Sequence, residues 1–116
     1  MSAIYIHNPR CSKSRQGIKI LEDNNQRFEI IEYLKTPLTK KILGDIFTYL
    51  SKNHDVKEFT RTKEKTFKEQ GLNIKDFSTK TSWVNLINEN PVLLERPILL
   101  LKNSAILGRP PENFNK

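Results

Sequence analysis

Apolar and polar positions change their period several times along the chain. Ala3-Ile4-Tyr5-Ile6 is a short, β-prone run with apolar residues on both sides of the alternation, which predicts a central, buried strand. From Ser14 to about Asn24 the spacing becomes helical. Gly17, Ile18 and Leu21 form the inward side of this segment, and Asp23-Asn24-Asn25 marks its end. Phe28-Glu29-Ile30-Ile31-Glu32-Tyr33 reads as a second strand. A strand, a helix and a second strand within about 30 residues make a βαβ unit, so the two strands are expected to run parallel.

Lys35-Thr36-Pro37-Leu38-Thr39 breaks the pattern, with Thr39 as the expected N-cap of the next helix. Ile42, Leu43, Ile46, Phe47 and Leu50 then recur at helical spacing as one packed stripe. Residues 54–70 read as a charged helical region anchored by Val56, Phe59 and Phe67 and ended by Gly71. Ser78 is expected to cap a further helix, buried through Trp83, Leu86 and Ile87 and closed by Asn90-Pro91. Ile98–Leu101 reads as a strand, Lys102-Asn103-Ser104 as a turn, and Ala105-Ile106-Leu107 as the returning arm of a hairpin. Gly108-Arg109-Pro110-Pro111-Glu112 opens one short last turn of helix. The order is βαβ, a helical insertion over about 39–90, then ββ and a short helix. It predicts one α/β domain over 1–116 with a mixed sheet, in the order of the thioredoxin-like (glutaredoxin-like) fold. In that fold the first helix N-terminus faces the loop before the third strand, where a proline, often cis, is expected; Pro97 occupies the place.

Composition narrows the class. With 116 residues, 36% hydrophobic and 28% charged, the chain suffices for one domain with a hydrophobic core. No apolar run approaches the ~18 residues of a membrane span. The start runs directly into a strand pattern, so no signal peptide is expected. A single cysteine excludes an internal disulfide and suggests a reducing compartment, so the cytoplasm is the expected location. The net charge of +7 suits a nucleic acid or an anionic small substrate. Its densest runs are Lys40-Lys41 and Arg61-Thr62-Lys63-Glu64-Lys65, the second interrupted by acid. Without alternating aromatic and basic residues, nucleic-acid binding is disfavoured, and most lysines read as solvated surface.

The chemistry concentrates in His7-Asn8-Pro9-Arg10-Cys11-Ser12-Lys13-Ser14-Arg15, between the first strand and the first helix. A lone intracellular cysteine is commonly a small buried hydrophobe. Here its neighbours are polar and basic: Arg10, Lys13, Arg15, His7 and the hydroxyls of Ser12 and Ser14. At a helix N-terminus the unpaired N–H groups and the dipole favour anions and lower a thiol's pKa. Cys11 is therefore the candidate nucleophile, in a pocket suited to an oxyanion to which Ser14 is a candidate contributor. With one cysteine and the distant His7 and His54, no metal site is supported, and no bound cofactor is expected.

The segment His7-Asn8-Pro9-x-Cys11-x-x-Ser14-Arg15 resembles the signature of the glutaredoxin-coupled arsenate reductases, the ArsC family. The resemblance continues through Tyr33-Leu34-Lys35-Thr36-Pro37, Arg61 with the charged segment to Gly71-Leu72, Asn90-Pro91-Val92-Leu93-Leu94-Glu95-Arg96-Pro97-Ile98, and Gly108-Arg109-Pro110. It implies a thioredoxin-like fold with a helical insertion. It also implies a catalytic Cys11, a His7 that favours the thiolate, and Arg61, Arg96 and Arg109 holding the oxyanion. The activity implied is reduction of arsenate to arsenite, with glutathione as external reductant and glutaredoxin as partner; the chain is expected to be a monomer. Arg10, Ser12 and Lys13 stand where smaller residues are expected in the family, making the entrance more basic and bulkier, and the family's longer C-terminal helix is expected to be short or missing.

Arsenate is a tetrahedral dianion near neutral pH, so a site that brings a thiolate to it must first cancel the repulsion. Arginine suits this because its planar fork binds two oxygens at once. Lowering a thiol from a pKa of about 8.5 to about 6.5 raises its thiolate fraction ~25-fold at pH 7. The lost nucleophilicity cancels roughly 8-fold of that, leaving about 3-fold. Removing one preorganised donor to a developing oxyanion costs about 100- to 1,000-fold. The arginines should therefore outweigh His7. Ser14 occupies the position at which a Cys-x-x-Cys motif places its second thiol, so the electrons must come from an external thiol. Two alternatives remain open at this level. One is a thiol oxidoreductase of the same family acting on another oxyanion or a mixed disulfide. The other is a regulator like Spx that binds RNA polymerase.

Overall fold

The computed structural model describes residues 3–115. The chain forms two compact units, one built from the described residues of Met1–Thr36 and Arg96–Lys116, the other from Pro37–Glu95.

The first unit contains β1 (Ala3–His7), α1 (Ser12–Asp23), β2 (Phe28–Glu32), β3 (Ile98–Leu100), β4 (Ala105–Leu107) and a final 3-10 turn, Pro111–Asn115. The four strands make one sheet in the order β2-β1-β3-β4. β1 is internal, parallel to β2 and antiparallel to β3, and β3 pairs antiparallel with β4. The βαβ unit and the hairpin thus form as their patterns predict. Alternation along β1 puts Ala3 and Tyr5 in a buried cluster with Leu21, Leu99 and Phe114. Gly17 lets α1 lie close against this cluster: a Cβ there would stand 2.7 Å from Phe114 Cε2 and collide with the Tyr5 hydroxyl. α1 starts two residues before the expected Ser14 and has Cys11 as its N-cap. The turn before it explains the earlier start: Asn8 Oδ1 accepts from the Arg10 N–H at 3.0 Å and the Asn8 carbonyl from the Cys11 N–H at 3.0 Å. The Arg96–Pro97 bond that leads into β3 is cis, and so is Arg109–Pro110.

The second unit contains α2 (Lys40–Leu50), α3 (Lys65–Glu69) and α4 (Lys80–Glu89), with 3-10 turns at Val56–Phe59, Ile74–Phe77 and Pro91–Leu93. Thr39 caps α2, accepting from the Ile42 N–H. α4 is capped by Thr79, one residue beyond the expected Ser78, which instead ends the preceding 3-10 turn. The expected helical region over 54–70 is in fact two short pieces. Asp55 and Glu58 form a capping box that starts a 3-10 turn. Thr60 then turns extended and bridges Leu94, while the Arg61 N–H bonds the Leu93 carbonyl at 2.7 Å. With few apolar anchors for a helix, this cross-chain pairing decides the conformation. Gly71 ends the segment at φ +63, where a glycine C-cap was expected. Phe59, Trp83 and Phe47 pack on one another at this unit's centre. Trp83 donates its indole N–H to Thr60 Oγ1 at 2.8 Å.

Candidate active site

The N-terminal end of α1 carries the site. Cys11 is partly exposed, and its side chain makes no capping hydrogen bond of regular geometry. Three groups converge on its sulfur: the backbone N–H of Ser14, the Arg96 guanidinium, and the backbone N–H of Lys13. Burial pushes the thiol up, and these groups together pull it below its ordinary value. Arg96 comes from the loop just before cis-Pro97, so the first helix and the third strand meet at the thiol. Burial disfavours the guanidinium's charge, while Cys11 and Tyr33 hydrogen-bond it and raise its pKa further. The side chain is held as a cation between a sulfur and a phenol.

Ser14 is fully buried and each of its polar groups is engaged. Its Oγ lies 2.7 Å from His7 Nδ1 and accepts from the Asn8 N–H at 3.1 Å. Its carbonyl accepts from the Tyr5 hydroxyl at 2.6 Å. What Ser14 presents toward Cys11 is its N–H. His7 is buried, and its pKa is lowered, first by burial, against a raising effect of Glu32 and with a further lowering from Arg15. Through this hydrogen bond between its Nδ1 and the Ser14 hydroxyl, His7 positions that residue. Tyr5 and Asn8 complete the scaffold. Sequence reasoning did not single them out, although Tyr5 lies two positions before His7 on the same side of β1, and Asn8 is a turn former directly after the strand.

The three arginines fare differently. Arg96 is in contact with the thiol. Arg109 lies half-buried after β4, its carbonyl accepting from Asn113 Nδ2 at 3.2 Å. Arg61 belongs to the second unit, where Nη1 meets Glu95 Oε1 at 3.0 Å and Nε meets Glu64 Oε2 at 3.3 Å. Among the described residues no group of three or more His, Cys, Asp or Glu side chains is placed to hold a metal ion. No helix among them is long and apolar enough to cross a membrane.

A four-stranded thioredoxin-like α/β fold, with one cysteine capping its first helix opposite a cis-proline loop, defines the class. Residues 6–116 match the ArsC family, and the chain belongs to that family. It is 39% identical over 108 residues to an arsenate reductase of Neisseria meningitidis, covering 93% of this chain and 91% of the relative. The solved structure of an arsenate reductase from Vibrio cholerae superposes with a TM-score of 0.83 at 33% identity, covering 99% of this chain and 96% of that one. The global transcriptional regulator Spx of Streptococcus agalactiae is 30% identical over 101 residues, covering 87% of this chain and 72% of the regulator.

Proposed function

We propose that this protein reduces arsenate to arsenite at Cys11, with glutathione and glutaredoxin as the external thiol system. One observation carries the reading: the Cys11 sulfur meets an Arg96 guanidinium and two helix N–H groups at once. That set holds a thiolate and a tetrahedral dianion side by side. The thiolate attacks arsenic and an arsenate oxygen leaves as water, giving a Cys11–S–As(V) adduct. An external thiolate then attacks the Cys11 sulfur. The S–As bond breaks with its electron pair going to arsenic, which leaves as arsenite, and Cys11 becomes a mixed disulfide. A second external thiol releases Cys11. Overall two thiols become one disulfide, and arsenate becomes arsenite and water. The chain's single cysteine requires that both resolving thiols come from outside.

Within this scheme Arg96 and the Ser14 and Lys13 N–H groups act directly on the thiolate and oxyanion. Ser14 acts through its backbone, and His7, Tyr5 and Asn8 position it. Arg109, in the same unit as Cys11, supplies further positive charge, while Arg61, in the other unit, is engaged by Glu64 and Glu95. A second reading, a regulator that binds RNA polymerase, is supported by the likeness to Spx. The test is arsenate-dependent NADPH oxidation in the presence of glutathione, glutaredoxin and glutathione reductase. Turnover in the wild type that vanishes in Cys11→Ser is expected. A folded chain with no turnover above background defeats the proposal; co-purification with RNA polymerase then decides for the regulator.

A further inference from the structure

Tyr33 is 1% exposed and carries a polar atom that the proposed reaction leaves unused. It stands directly after β2, in a turn that is already set: the Glu32 carbonyl accepts from the Lys35 and Thr36 N–H groups, both at 2.9 Å. The turn sends Tyr33 inward, while Leu34 beside it is 51% exposed. The sheet explains what Tyr33 meets there. β1 and β2 are parallel with His7 opposite Glu32, so the loop after β1 and the turn after β2 leave the sheet at one end. β3 is antiparallel to β1 with Ile98 opposite Ile6, so it enters the sheet at that same end. Cys11, Tyr33 and Arg96 therefore converge, all within one compact unit.

A buried tyrosine hydroxyl ordinarily finds a hydrogen-bond partner, and here the partner is the Arg96 guanidinium. A guanidinium has five N–H donors and no acceptor, so it donates and the phenol oxygen accepts. The same guanidinium also bonds the Cys11 sulfur. A long side chain tied at one point still swings about its torsions. Tied at two, its planar fork has one orientation, and little ordering is left for an anion to impose. Resting on the reading that Arg96 serves the Cys11 thiolate and an oxyanion, we propose that Tyr33 is a positioning residue for Arg96, its phenol oxygen holding the guanidinium in the plane from which it meets the sulfur. Tyr33 thus acts on the thiol only through Arg96.

Tyr33→Phe keeps the ring and removes the oxygen. The readout is the pH profile of Cys11 alkylation by iodoacetamide, measured on the wild type, Tyr33→Phe, Arg96→Gln and the double variant. Tyr33→Phe is expected to move the midpoint upward by about half a pH unit, a roughly 3-fold loss of thiolate below the midpoint, and by less than Arg96→Gln does. Added to Arg96→Gln, it is expected to move the midpoint no further, because nothing is left for it to position. A core residue whose loss merely loosens the fold would act alike in both backgrounds, and urea midpoints record that loosening separately. A Tyr33→Phe midpoint equal to the wild type's overturns the proposal, and so does a shift as large without Arg96 as with it. An Arg96→Gln midpoint equal to the wild type's instead overturns the underlying reading and the proposal together. No arsenate enters this assay, so its failure is separate from failure of arsenate reduction.

Discussion

At the scale of residues, the site works by division of labour around one sulfur. Burial raises the Cys11 pKa, and Ser14 N–H, Arg96 and Lys13 N–H lower it by more. Rapid alkylation is therefore expected to reach its plateau at a lower pH than for an ordinary thiol. Arg96→Gln removes one of the lowering groups and moves the midpoint of the alkylation profile upward. His7→Ala moves it much less, because His7 is neutral and touches Ser14 rather than the sulfur. An iodoacetamide rate profile against pH on the three proteins checks both directions. An Arg96→Gln midpoint equal to the wild type's removes Arg96 from the role given to it. His7 shows where reading from sequence stops. Its nearness to Cys11 was legible, but neutrality depends on burial, and burial depends on the sheet that closes around β1.

At the scale of elements, two contacts hold the scaffold. α1 approaches the sheet at Gly17, where a methyl meets Phe114 and the Tyr5 hydroxyl. Gly17→Ala is expected to cost about 1–3 kcal/mol from overpacking. It also disturbs the Tyr5–Ser14 bond, so slower Cys11 alkylation should accompany lower stability. In the other unit, Thr60 Oγ1 accepts from Trp83 and donates to the Val56 carbonyl at 2.7 Å. Thr60→Val keeps the shape and orphans both partners, an expected cost of about 1–3 kcal/mol. Urea midpoints measured for both variants test these costs. β1, α1, β2 and the hairpin were legible because each carries a local period and an end signal. Residues 54–70 were not, because Thr60–Leu94 pairing joins residues far apart in the chain and leaves no local periodicity. The caps were legible to within a residue: Thr79 and Ser78 are both good N-caps, and only the backbone of α4 selects between them.

At the scale of the whole molecule, the single cysteine fixes how the proposed reaction must turn over. With arsenate and glutathione but no glutaredoxin, the chain is expected to accumulate one glutathione on Cys11 and no protein disulfide, read by intact-mass spectrometry. No adduct, or a disulfide-linked dimer as the main species, contradicts the scheme. The net charge of +7 favours the approach of anions in general, a long-range effect that salt screens. The positions of Cys11, Arg96 and Pro97 were legible from residue order alone. The cavity of about 460 Å³ that Arg96 lines together with His7, Arg10 and Glu32 was not, since it depends on where the end of β2 stands relative to the loop before α1.

In the proposed reaction, oxyanion electrostatics rather than thiol activation by histidine supplies most of the rate. The measurement that tests it most directly is kcat/KM for arsenate with Arg96→Gln and His7→Ala side by side in the coupled NADPH assay. A loss of about 100- to 1,000-fold is expected for Arg96→Gln and only about 3-fold for His7→Ala. A His7→Ala loss equal to or larger than the Arg96→Gln loss contradicts it.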